Sequence, residues 1–184
     1  MTNTNDTMDT AGLTRAERRY VKTNAQMENS LKSWRTPARR AFLVRANWIS
    51  IALMAVISVV GYFWFPIVIA FIPMTAVLLV AWTMLRVTID SKDSAPARFL
   101  DEFEAATLLE ARSTALKYTS ALLAIIALVL IFGASLEIGS DSGALGDGFR
   151  FSYAMGGLAL MAFLVSHVIP AAAMVKTMDD ESER

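Results

Sequence analysis

Cysteine is absent from this 184-residue chain, which excludes disulfides, thiolate metal sites, iron–sulfur clusters, cysteine nucleophiles and a cysteine-borne lipid anchor. Histidine is nearly absent too. His167 stands alone, so a haem with two histidine ligands would need a second chain. Net charge is missing as well: 17 Lys and Arg balance 17 Asp and Glu, which leaves no basic excess for a nucleic-acid surface. The first forty residues hold no apolar run, so no cleavable signal peptide is expected, and the first long apolar segment should act as an uncleaved signal anchor.

What the chain does have is apolar length. Ala46–Trp64, Ile67–Ile89, Thr114–Leu136 and Phe151–Val175 fill more than half of it, and each reaches the roughly 20 residues that a helix needs to cross a bilayer. The remainder is tails and short loops, with no room for a separate catalytic domain. The fold class expected is all-α: a four-helix transmembrane protein, multi-pass in the plasma membrane. Its segments are a disordered tail over 1–12, an amphipathic cytoplasmic helix over 13–36 and a transmembrane hairpin over 46–89. A cytoplasmic helix continuing into spans three and four occupies 96–175, and a tail 176–184.

Met1–Gly12 is rich in Thr, Asn and Asp and lacks an apolar period, so it cannot offset its ordering entropy by burial. Thr14-Arg15-Ala16-Glu17 is a capping box, in which hydroxyl and carboxylate satisfy each other's backbone donors. The helix it opens is expected to run from about Arg15 to Trp34. Leu13, Tyr20, Met27 and Trp34 recur every seven residues, with Ala16 and Leu31 between them, giving a narrow apolar face among charges. That face needs a partner: the headgroup layer, the protein's own spans or another subunit.

Thr36-Pro37 breaks the helix, and Arg35, Arg39, Arg40 and Arg45 lead into the first span. Arg86, Lys92, Arg98, Arg112 and Lys117 lie between spans two and three, and Lys176 follows span four. The opposite loops carry almost no cations, so by the positive-inside rule both termini are expected in the cytoplasm. Gly61-Tyr62-Phe63-Trp64-Phe65-Pro66 supplies a tight turn and an aromatic belt between the first two spans. Pro73 predicts a bend in span two. Ser94 and Pro96 predict the start of a third helix that runs on unbroken from Arg98 and projects into the cytoplasm.

His167 lies about eight residues from the cytoplasmic end of span four, and an ionisable residue at that depth is a functional candidate by default because its burial in lipid is costly. Ser50, Thr83, Thr119, Ser120 and the adjacent Ser166 are the polar partners expected at its depth. It fits a proton relay, a hydrogen-bond donor to a quinone-like headgroup, an axial haem ligand, or a neutral imidazole joining two helices. Asp101, Glu102, Glu104 and Glu110 crowd a helix start but lack the histidine of a helical carboxylate–histidine metal site. Phe99, Phe103 and Ala106 offer an apolar face for docking on the N-terminal helix or on a neighbour. Gly139–Gly148 resembles a calcium loop only in composition. Ser152, Gly156 and Gly157 predict a close helix contact at the start of span four.

Four short spans are also the architecture of small proton-coupled exporters, but Asp90 and Glu137 lie at span ends rather than at mid-membrane. The block Pro96-Ala97-Arg98-Phe99-Leu100-Asp101-Glu102-Phe103-Glu104, continued by Leu109-Glu110-Ala111-Arg112 and Tyr118, resembles the charged helix that precedes a span in small uncharacterised four-span membrane proteins of actinobacteria. In size and span number the chain is similar to the accessory membrane subunits of the actinobacterial cytochrome bcc–aa3 respiratory supercomplex. That resemblance implies a non-catalytic accessory or scaffolding subunit, embedded in the lipid bilayer beside other integral membrane subunits, with no cofactor. The alternatives are a small four-helix transporter or channel, and a quinone- or lipid-handling protein centred on His167.

Overall fold

The computed structural model describes residues 14–27, 31–138 and 148–182. The expected tail over 1–12, Leu13 and the loop 139–147 lie outside the described residues. Within them every regular element is helical: α1 (Arg15–Met27), α2 (Pro37–Phe63), α3 (Phe71–Thr88), α4 (Glu102–Ile138) and α5 (Gly148–Ser182), joined by short 3₁₀ turns. Four segments are long and apolar enough to cross a membrane, one each in α2, α4 and α5 and one formed by α3 with the 3₁₀ turn before it.

The capping box at α1 forms as read, with the Thr14 amide donating to Glu17 Oε2 at 2.6 Å and the Glu17 amide to Thr14 Oγ1 at 3.3 Å. The expected continuation to Trp34 does not: α1 ends at Met27, and Lys32–Trp34 is a separate 3₁₀ turn. Leu31 has φ 53°, a left-handed conformation that no α-helix can pass through. α2 then begins with Pro37 at its first position, where the missing N–H removes a donor that would be unsatisfied anyway.

α2 and α3 form a tight hairpin. A Cβ on Gly61 would sit 3.0 Å from Val68 Cγ2, so any larger residue would press on the Val68 side chain of the returning segment. The bend expected from Pro73 is replaced by a change of helix type: Phe65–Ala70 is 3₁₀, and α3 starts at Phe71. Pro73 therefore falls in the first turn of an α-helix, where it costs no hydrogen bond.

The start of α4 also differs from expectation. Ser94 ends a 3₁₀ turn and Ala97–Phe99 forms another, while the helix opens at a second capping box, Asp101 with Glu104. The Glu104 amide donates to Asp101 Oδ1 at 2.6 Å and the Asp101 amide to Glu104 Oε2 at 3.4 Å. This pair satisfies two orphan amides at once, which a lone Ser94 cannot. With 37 residues, α4 is still about 55 Å long.

α2 and α5 form the centre, with α3 packed along α2 and α4 along α5. Of the apolar stretch in each, 39 % of the residues are buried in α2 and in α5, but only 11 % in the α3 segment and 6 % in α4. Leu43, Leu85, Ile89, Leu108, Met174 and Val175 close one cluster at the charged end of the bundle, and Ile51, Met54, Leu78, Met161 and Val168 a second further in. Beyond the second cluster α5 crosses α2 at Gly157, where an added Cβ would overlap the Ser58 hydroxyl. In lipid such close approach, rather than water exclusion, holds helices together.

Candidate functional site

His167 and Phe163, one turn apart on α5, are exposed, and beside them opens a recess of about 160 Å³. Asn47 from α2, Leu78, Leu79 and Trp82 from α3, and Leu164 and Val168 from α5 complete its lining. The imidazole meets the Trp82 ring edge-on at 6.4 Å and the Phe163 ring at 4.5 Å.

The hydrogen bonds settle which nitrogen faces outward. The Ser166 hydroxyl donates to the Phe163 carbonyl at 2.6 Å, and His167 Nδ1 lies 3.0 Å from that hydroxyl and 3.1 Å from the same carbonyl. A carbonyl only accepts, so the contact at 3.1 Å assigns a proton to Nδ1. Nε2 is left as an unused acceptor.

Asn47 is fully buried, and its Nδ2 donates to the Leu43 carbonyl at 2.9 Å while Oδ1 has no partner. The opposite amide orientation would place oxygen against oxygen, so the assignment is fixed by chemistry. A buried acceptor without a donor costs about 1–3 kcal/mol. The recess thus sets the Asn47 amide and the His167 imidazole among apolar walls, an arrangement suited to a membrane-soluble molecule with a polar group.

The polar residues expected beside His167 lie elsewhere, apart from Ser166. Thr83 Oγ1 donates to Leu79 of its own helix at 2.8 Å, Thr119 Oγ1 donates across to the Ala162 carbonyl on α5 at 3.3 Å, Ser120 is exposed, and Ser50 is buried on α2. Asn47 was missed because one amide at the rim of an apolar run has no periodic signature. Its only cue is its type, the sole asparagine in any span.

At the charged end Tyr20, of the docking candidates on α1, packs within the chain. The Tyr20 ring packs on Phe99 at 5.3 Å, and its hydroxyl donates to the Asp90 carbonyl at 3.2 Å. Arg35 grips the Asp90 carboxylate through two nitrogens, at 2.8 and 3.1 Å. Lys92 pairs with Glu104, Arg86 with Asp93 at 3.3 Å, and Arg40 with Asp179 at 3.5 Å. Burial, followed by the Asp90 charge, raises the Tyr20 phenol above its ordinary range, and the backbone and hydroxyl of Thr14 hold the Glu17 carboxyl below its own.

Trp34 packs against the cluster around Leu85, and Leu31 is half-buried, whereas Phe103 is exposed. Leu13 and the Met27 side chain lie outside the described residues. Of the small-residue set, Gly157 makes the α2 crossing, while Gly156 and Ser152 face outward and a Cβ on Gly156 would meet nothing within 4 Å. Among the described residues no group of three or more His, Asp and Glu could hold a metal ion.

No family model, no curated protein and no solved structure matches the chain.

Proposed function

We propose that the protein is a non-catalytic accessory subunit that binds laterally to other integral membrane proteins, with the charged end and both termini in the cytoplasm. The observation that carries this reading is the packing of α4. It meets the rest of the chain along one seam, Glu104, Leu108, Ala111, Ala115, Thr119, Ile126 and Gly133, at heptad-like spacing. From Ser120 to Phe132 every residue but Ile126 is exposed. A span held by so narrow a seam presents most of its circumference for association. The concentration of Arg and Lys at the charged end supports the orientation, and the similarity in size and span number to supercomplex accessory subunits makes a respiratory supercomplex of the plasma membrane the first assembly to examine.

Affinity purification of the tagged chain from its native membrane in a mild detergent tests the proposal. Stoichiometric recovery with subunits of a larger complex is expected. Recovery as a discrete homo-oligomer would sink it. That result would favour a second reading, a quinone- or lipid-handling protein, which rests on the Asn47 amide and the His167 imidazole in the apolar recess.

A further inference from the structure

A cleft of about 330 Å³ lies where α1 crosses the connection after α3, lined by Arg19, Tyr20, Thr23, Arg86, Ser91 and Ser94. We infer that it binds a phosphate group, carried by the headgroup of an anionic phospholipid. Its lining holds two guanidinium groups and no carboxylate; of its four hydroxyls, those of Tyr20 and Ser94 already donate to the Asp90 and Ser91 carbonyls, which leaves Thr23 and Ser91 beside the guanidiniums as donors to phosphate oxygens.

Three features mark the cleft as built. Arg19 is exposed and has no ion-pair partner among the described residues. Arg86 is held by Asp93 at 3.3 Å and by a bond from Nη2 to Ser94 Oγ, on the cleft wall, at 2.6 Å, which fixes the guanidinium and leaves Nη1 as its unspent nitrogen. Ser91 is 7 % exposed, yet its hydroxyl has no hydrogen-bond partner. Its backbone amide and carbonyl are both engaged, with Arg86 at 2.9 Å and Ser94 at 3.0 Å. A hydroxyl with no internal partner on the wall of a cationic cleft is placed to donate to a ligand oxygen.

Backbone conformation points the same way. Asp90 and Ser91 adopt φ 51° and 52° in succession, a left-handed pair that non-glycine residues enter at a cost, and such strain gathers at binding sites. Asp90 is occupied by Arg35 on the neighbouring side and Asp93 is paired with Arg86, so Arg19 supplies the uncompensated charge of the cleft.

The depth argues for a lipid as the source. Arg86 stacks over the Trp82 ring at 6.0 Å, and Trp82 lies one turn further into the apolar span. The cleft therefore stands where apolar helix gives way to charge, the level of phospholipid headgroups. α1 roofs it with Tyr20 and Thr23, so a bound headgroup would touch both α1 and the α3–α4 connection.

The test is native mass spectrometry of the full chain in detergent, titrated with phosphatidylglycerol or phosphatidylcholine, with calorimetric titration of inorganic phosphate in parallel. Phosphatidylglycerol retention is expected to exceed that of phosphatidylcholine by roughly tenfold and to fall by about that factor in Arg19→Gln. Ser91→Gly removes the hydroxyl but relieves the left-handed backbone, so it should lose several-fold in retention with a melting temperature equal to or above that of the parent. Arg15→Gln makes the same charge change outside the cleft and should leave retention intact. Saturable inorganic phosphate binding that the Arg19 and Ser91 substitutions abolish, without lipid preference, supports the site with a soluble anion as occupant. Equal retention of the two lipids with no phosphate binding overturns the inference, as does an Arg15→Gln defect matching that of Arg19→Gln.

Discussion

Asn47 is a residue whose stability cost is visible in its own geometry. A buried oxygen with no donor destabilises the fold by about 1–3 kcal/mol, and leucine is close to asparagine in size. Asn47→Leu is therefore expected to raise stability by about 1 kcal/mol, read as a higher melting temperature in detergent; a lower one would mean that the amide is satisfied. Tyr20 carries the opposite lesson. Its folded-state pKa is raised, so the fold favours the protonated phenol. The stability this gives α1 docking is complete below the unfolded value of about 10 and is lost as pH climbs through the higher folded value. Limited proteolysis should find α1 increasingly cleaved above about pH 10 in the parent, with no such transition in Tyr20→Phe. A transition that persists in Tyr20→Phe would move the cause to another group.

Among the helices, neighbouring glycines give a paired comparison. Gly157 faces Ser58 with no space for a methyl group, and Gly156 faces outward. Gly157→Ala should destabilise by about 1–3 kcal/mol through overpacking, whereas Gly156→Ala should be neutral or gain up to about 1 kcal/mol of helix propensity. Equal melting temperatures for the two would place the α2–α5 crossing elsewhere. The same elements show what a sequence reveals. Apolar length gave the four spanning segments, and Thr14 with Glu17 gave a helix start, because both signals are local. The second capping box was hidden because Asp101 and Glu104 sit in an acidic run where several cap positions look alike. The partner of the α1 stripe was open among three, since Tyr20 and Asp90 are brought together only by the fold. For the recess beside His167, Asn47 and Trp82 had to arrive from two other helices, and no spacing rule connects them.

At the scale of the whole molecule, lateral docking and lipid solvation of α4 make different demands on shape. Lipid tails rearrange around an added indole, but a packed protein surface does not. Ala124 and Leu128 are exposed and lie one turn apart, away from the seam to α5. Ala124→Trp with Leu128→Trp should leave the isolated chain folded and cut co-purification of partner subunits by at least about tenfold, the effect of about 1.4 kcal/mol at an interface. Undiminished recovery would mean that lipid covers this face.

The hairpin of α2 and α3 has a practical consequence. Phe63 and Phe65 flank a single residue, Trp64, outside helical geometry, and Gly61 packs close beneath the Val68 side chain of the returning segment. No epitope, glycosylation acceptor or protease site can be grafted there without prying the two helices apart. Sidedness assays on this protein must therefore read the termini or the α4–α5 connection. During biosynthesis the two helices should leave the translocon together, as one body rather than in turn.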